Sequence, residues 1–241
     1  MAAGLGRELK AAGDPTCAVQ EKRYLKSEMA FHGCRLGAIR SAVARIKREH
    51  PDLDVAGLRK LVRVLWKEPL FEHRIAAVIL LDSFGTLLRP ADIKLIERLL
   101  RESRTWAIVD ELAGVVTGSL VERYPELNGT LDRWAVDEDF WLRRSAMLAL
   151  LRPLRRGGGD FARFARYADG MLEEREFFIR KAIGWVLRET AKKRPNLVYD
   201  WLKPRISRAS GVTVREAVRW LPPRQNDELL AGYRSRAVRR S

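Results

Sequence analysis

Cysteine is nearly absent: Cys17 and Cys34 are the only two in 241 residues, too few for a disulfide framework. Histidine is equally sparse. His32, His50 and His73 stand without CxxC or HExxH company, so neither a metal site nor a cofactor is expected. No apolar run approaches the roughly 18 residues that a membrane span requires. The first thirty residues carry Arg7, Glu8, Lys10, Asp14, Glu21, Lys22 and Arg23, which interrupts any apolar core a signal peptide would need. An intracellular, cytoplasmic location and no membrane partner are therefore expected. Acidic residues are also short, at 31 Asp+Glu against 46 Lys+Arg, a net charge of +15. That excess points to a polyanionic partner, the commonest being nucleic acid; a merely basic, soluble surface is the plainer alternative.

Period-two alternation is scarce, which argues against a sheet. Apolar residues instead recur at three and four, as in Leu58, Leu61, Val62, Leu65 and Trp66, or Ile93, Ile96, Leu99 and Leu100, each set making one helical face. Breaks fall at Pro51, Pro69, Pro90, Pro125, the Gly157 to Gly159 turn, Pro195 and Pro222-Pro223. Asp160 after the glycines and Pro90 before Asp92 are helix-start signals.

The helices repeat. A large or apolar residue, then a charged residue three later, then small or apolar residues recurs with the charged position at 40, 74, 110, 144, 181 and 215, at spacings of 34, 36, 34, 37 and 34. A sustained period in this range marks a helix-pair solenoid. The expected fold is all-α: an α-solenoid of about six HEAT-like antiparallel helix pairs, curved into a superhelix with a basic concave face. One domain is expected over 1–230, followed by a basic tail over 231–241 that carries Arg234, Arg236, Arg239 and Arg240. The chain gives no sign of oligomerisation, and a monomer is the default.

The marked position reads Arg40, Arg74, Asp110, Arg144, Lys181 and Arg215. It is either a structural ladder, with Asp110 bridging Arg74 and Arg144, or a track for a phosphate backbone. Net charge favours the track. Asp110 is its single carboxylate. Trp106 precedes Asp110 by one turn, and Trp185 follows Lys181 by one turn. If the repeats stack, two indoles and a carboxylate converge between cations. Cleavage of an N-glycosidic bond builds positive charge on the sugar, which a carboxylate stabilises while orienting water and which indole faces attract. A purine already alkylated at N3 or N7 leaves as a neutral base, so no general acid is needed.

Several ordered motifs carry a family resemblance: KAIGWVLRE at 181–189, FWLRRSAM at 140–147, WAIVD at 106–110, and YLKSEMAFHG at 24–33 running on to Arg40. Over roughly 20–220 the chain resembles the AlkD-like DNA alkylation repair glycosylases, which are built of HEAT-like repeats. The resemblance implies a monofunctional glycosylase that releases cationic 3-methyladenine and 7-methylguanine from double-stranded DNA without extruding the base. It implies that Asp110 is the catalytic carboxylate, that Trp106 and Trp185 contact the lesion sugar and backbone, that Arg144 binds phosphate, and that Tyr24 lies nearby. With Arg40, Arg74, Lys181, Arg188 and Arg215 these make up the expected DNA contacts. The alternatives are a non-catalytic protein that binds damaged or branched DNA, and a protein-binding scaffold whose ladder is structural.

Overall fold

Helices form where the apolar period of three to four runs uninterrupted, and the computed structural model, which describes residues 1–238, contains no strand among them. The chain divides into two compact units, Met1–Tyr124 and the portion from Pro125 onward.

The first unit holds α1 (Ala2–Ala11), α2 (Pro15–Leu25), α3 (Leu36–Glu49), α4 (Val55–Trp66), α5 (Phe71–Ser83), α6 (Ile93–Glu102), α7 (Trp106–Glu111) and α8 (Gly118–Arg123). Both predicted apolar faces are interior, since Leu58, Val62, Ile96, Leu99 and Leu100 are wholly buried. Asp14 caps α2 by accepting from the amides of Thr16 and Cys17, with Pro15 in the first turn, and Asp54 caps α4 through Gly57 N. Pro90 opens a short 3-10 turn that leads into α6. There Asp92 accepts from Arg89 N at 2.8 Å and pairs with Arg59 Nε at 2.6 Å. Between α7 and α8 the chain continues as a π-helical stretch, Leu112–Thr117, in which Thr117 Oγ1 donates to the carbonyl of Leu112 five residues back. Such stretches are rare and concentrate at functional sites.

The second unit holds α9 (Asn128–Trp134), α10 (Phe140–Leu148), α11 (Leu151–Arg155), α12 (Phe161–Met171), α13 (Phe177–Ala191), α14 (Pro195–Leu202), α15 (Gly211–Ala217) and α16 (Pro223–Val238). Asp139, Asp160, Glu176 and Ser210 cap α10, α12, α13 and α15, so the start expected at Asp160 is present. Gly157 and Gly159 adopt φ of +91° and +74°, the left-handed region in which a side chain is strained. Part of the expected tail is helical, since α16 runs to Val238; Arg239 and Arg240 lie outside the described residues.

All six marked positions fall at the fourth or fifth residue of a helix: α3, α5, α7, α10, α13 and α15. Within the first unit α3, α5 and α7 pack in sequence, and within the second α10, α13 and α15 do the same. Ion pairs keep the same register. Arg59–Asp92, Arg143–Glu174, Arg155–Glu189 and Arg205–Asp169 each join residues one repeat apart. These arginines stitch neighbouring repeats together.

Candidate functional site

In the first unit the site is built on the N-terminal end of α7. Trp106 is its first residue, half-buried, and Tyr24 at the end of α2 meets it edge to face, ring centroids 5.8 Å apart at 79°. Tyr24 is 73% exposed, so this phenol–indole pair lies at the surface. Asp110 follows Trp106 by one turn and is partly exposed, immediately ahead of the π-helical stretch. Its neighbour Glu111 receives Arg40, Nη2 to Oε1 at 3.6 Å. Burial raises the Glu111 carboxyl above the ordinary glutamate value, Arg40 opposes the rise, and Asp82 and Asp110 add to it. One position of the ladder thus carries two adjacent carboxylates, and the exposed Arg40 is held by the one that sequence reasoning passed over.

Arg74 departs from the expected track. It is buried, its Nη1 donates to the carbonyl of Glu102 at the end of α6 at 2.6 Å, and its guanidinium lies 5.0 Å from the Trp66 ring. Burial pulls its pKa below the ordinary arginine value. Arg144 in the second unit behaves alike: it is 2% exposed, donates to the carbonyl of Phe178, and packs 5.9 Å from that ring. A guanidinium can be buried when its donors reach a carbonyl and its face meets an aromatic ring, and both residues meet those conditions. These two cations brace helices in the free protein.

On α13 Lys181, Trp185 and Arg188 share one face by their spacing, and Lys192 lies just past its last residue. Lys181 Nζ donates to Glu216 Oε1 at 2.6 Å, and Arg188 pairs with the other oxygen of the same carboxylate. Burial works against the charge of Glu216, but Lys181, Arg188 and Arg219 together hold its carboxyl below the ordinary value. Glu189 is similar: burial opposes ionisation, and Lys192, Arg155 and Arg188 overcome it. Both carboxyls titrate lower folded than unfolded. Their stabilisation is therefore complete above the unfolded glutamate value of about 4.3 and is lost as pH falls through the folded values. The contribution of these two carboxyls to the melting temperature should be flat above about pH 5 and fall below it, so Glu216→Gln should lose less on acidification than wild type does. A Glu216→Gln variant that loses as much as wild type would contradict this.

Gly184 explains the glycine of the KAIGW motif. A Cβ there would sit 2.7 Å from Glu216 Cβ and 3.0 Å from the Thr213 carbonyl, so α13 and α15 approach only because it is missing. Gly170 on α12 has nothing within 4 Å. Gly170→Ala should stabilise by up to about 1 kcal/mol through helix propensity, whereas Gly184→Ala should destabilise by about 1–2 kcal/mol through overpacking. A Gly184→Ala denaturant midpoint at or above that of wild type would refute the close approach.

Arg215 on α15 is exposed. Glu111, Glu189 and Glu216 are the residues missed from sequence, although Glu111 and Glu216 were detectable as acids directly after the marked position. Among the described residues no group of three or more His, Cys, Asp or Glu side chains is placed to hold a metal, and no helix is long and apolar enough to cross a membrane.

A family described as DNA alkylation repair enzyme matches residues 5–221. The chain belongs to that family. Its role accordingly lies in the repair of alkylated DNA, with DNA as partner. Among solved structures it is similar to one described as a predicted DNA alkylation repair enzyme from Enterococcus faecalis, at 21% identity and a TM-score of 0.80, covering 88% of this chain and 97% of that one. It is also similar to AlkD2 from Streptococcus mutans, at 17% identity and a TM-score of 0.61, covering 86% and 97%. At these identities the likeness is one of fold. A search of curated proteins returned no match.

Proposed function

We propose that this protein is a monofunctional DNA glycosylase that hydrolyses the N-glycosidic bond of N3- and N7-alkylated purines in double-stranded DNA. The observation that carries the reading is Asp110: the one carboxylate at a repeat position otherwise basic, one turn from the surface pair of Trp106 and Tyr24. As the bond lengthens, positive charge grows on the deoxyribose, and an ionised Asp110 stabilises it and aligns the water that attacks the anomeric carbon. The alkylated base carries its own positive charge and departs neutral, so the site needs no acid. Trp106, with Tyr24 against it, and Trp185 contact the sugar and backbone at the lesion. Arg40, Lys181, Arg188 and Arg215 take phosphates, each from at least a half-buried or exposed position. Arg74 and Arg144 act by holding the helices that present them. The base is not extruded in this scheme, because the grip is on the backbone.

Release of 7-methylguanine or 3-methyladenine from methylated DNA by the purified protein tests the reading. If neither base is released while DNA is bound, the protein is a non-catalytic reader of damaged DNA and the glycosylase assignment fails.

A further inference from the structure

Trp220 is the one exposed tryptophan among the described residues, with 58% of its surface open. It closes a short 3-10 turn, Val218–Trp220, after α15, while the flanking Val218 and Leu221 are buried. The turn therefore holds the indole out in front of an anchored backbone. Lys192 Nζ lies over the ring at 5.4 Å. Together with Arg188, Glu189 and Arg219 these two residues line a shallow, open hollow.

The cations around the hollow are set in place by buried carboxylates. Lys192 is fixed to Glu189 at 2.8 Å, Arg188 to both Glu189 and Glu216, and Arg219 to Glu216 at 3.5 Å. Lys192 and Arg219 remain exposed. Three cations line the hollow against the one carboxylate of Glu189, and the indole beside them is exposed.

We propose that this hollow seats one unpaired nucleotide of single-stranded DNA, its base stacked on Trp220 and its phosphate on Lys192 and Arg219. The pairing of an exposed aromatic ring with backbone-tracking cations is what single strands require, and stacking of this kind is indifferent to base identity. A duplex backbone would use the cations alone, because base pairs stacked on one another offer no π-face to an indole. The seat adjoins the proposed lesion contact and shares Arg188 with it. Its own stacking and phosphate groups, Trp220, Lys192 and Arg219, are not among the proposed duplex contacts. The inference rests on DNA being the partner, and it is independent of base excision.

Fluorescence anisotropy with a labelled short oligothymidylate, and with a blunt unmodified duplex, tests it. Trp220→Ala and Trp220→Leu should each weaken oligothymidylate binding about tenfold, Trp220→Phe should retain most of the affinity, and the duplex should be weakened by about twofold at most. Lys192→Gln should shallow the dependence of log affinity on log salt by about 0.7 for the oligothymidylate. Melting temperatures of the Trp220 variants should match wild type, as the side chain is exposed. Equal losses on the two DNAs, or a Trp220→Leu variant that binds like Trp220→Phe, would overturn the proposal. Failure of base release, with the Trp220 dependence intact, would remove the glycosylase reading alone.

Discussion

Asp110→Asn is expected to reduce release of 7-methylguanine from methylated DNA by about 10²- to 10³-fold, the range seen when a group that stabilises transition-state charge is removed. The substitution preserves shape while deleting the negative charge and exchanging one acceptor oxygen for a donor NH2. Charge on the sugar develops only as the bond breaks, so the loss should fall on turnover and spare binding. Affinity for DNA should hold or tighten slightly, because a carboxylate repels phosphates. Single-turnover release and equilibrium binding on the same methylated duplex separate the two quantities. Release within tenfold of wild type would exclude Asp110 as the catalytic carboxylate and shift attention to Glu111. A parallel loss of affinity and rate would instead make Asp110 a structural partner of the ladder. Glu111→Gln is the informative companion. It abolishes the ion pair to Arg40 at 3.6 Å but leaves Asp110 charged, so it should affect binding more than turnover.

The repeat was legible because each return of the charged position marks the same point on a new helix, the fourth or fifth residue in all six. Apolar faces such as Ile93 to Leu100 were legible for the same reason. Three features were not. The π-helical stretch Leu112–Thr117 adds one residue to a turn without altering the apolar character of Leu112, Val115 and Val116, so a period search passes straight over it. The burial of Arg74 and Arg144 was hidden because a basic residue is ordinarily assumed exposed. Only the structure shows Trp66 and Phe178 beneath the guanidinium planes and carbonyls within reach of them. Trp220 could not be told from the buried Trp66, Trp134 and Trp201, since a tryptophan at the end of a helix is more often core. Glu216 had a visible signal: an acid next to the marked position occurs at only two repeats, and in both it holds ladder cations. Spacing within one helix can be read from sequence, whereas which cation a carboxylate reaches in the next repeat depends on packing.

Glu72→Ala should destabilise the first unit by roughly 3 kcal/mol or more. Glu72 on α5 is fully buried, and one carboxylate oxygen accepts the amides of His32, Gly33 and Cys34 at 3.0, 2.7 and 3.2 Å. Three successive amides converge on one oxygen only because Gly33 stands at φ +77°. A Cβ at that residue would lie 2.0 Å from the Asp14 carbonyl oxygen and 2.5 Å from Ala18 N. The loop so held joins α2, which carries Tyr24, to α3, which carries Arg40. Removing the acceptor strands two buried amides and one partly buried one, each costing about 1–3 kcal/mol when left unpaired. That is a large share of the 5–15 kcal/mol typical of a folded domain. Glu72→Gln keeps an oxygen at the same place and loses only the charge assistance, so its cost should be about half or less. The measurement is a pair of denaturation curves, read beside DNA affinity at a temperature where both variants remain folded. The ordering Ala far below Gln, with weaker DNA binding for Ala as Tyr24 and Arg40 lose their common support, is the expected result. Equal and small losses for the two variants would mean that the loop keeps its conformation without the carboxylate. The positions of Tyr24 and Arg40 would then have to come from the packing of α2 and α3 alone.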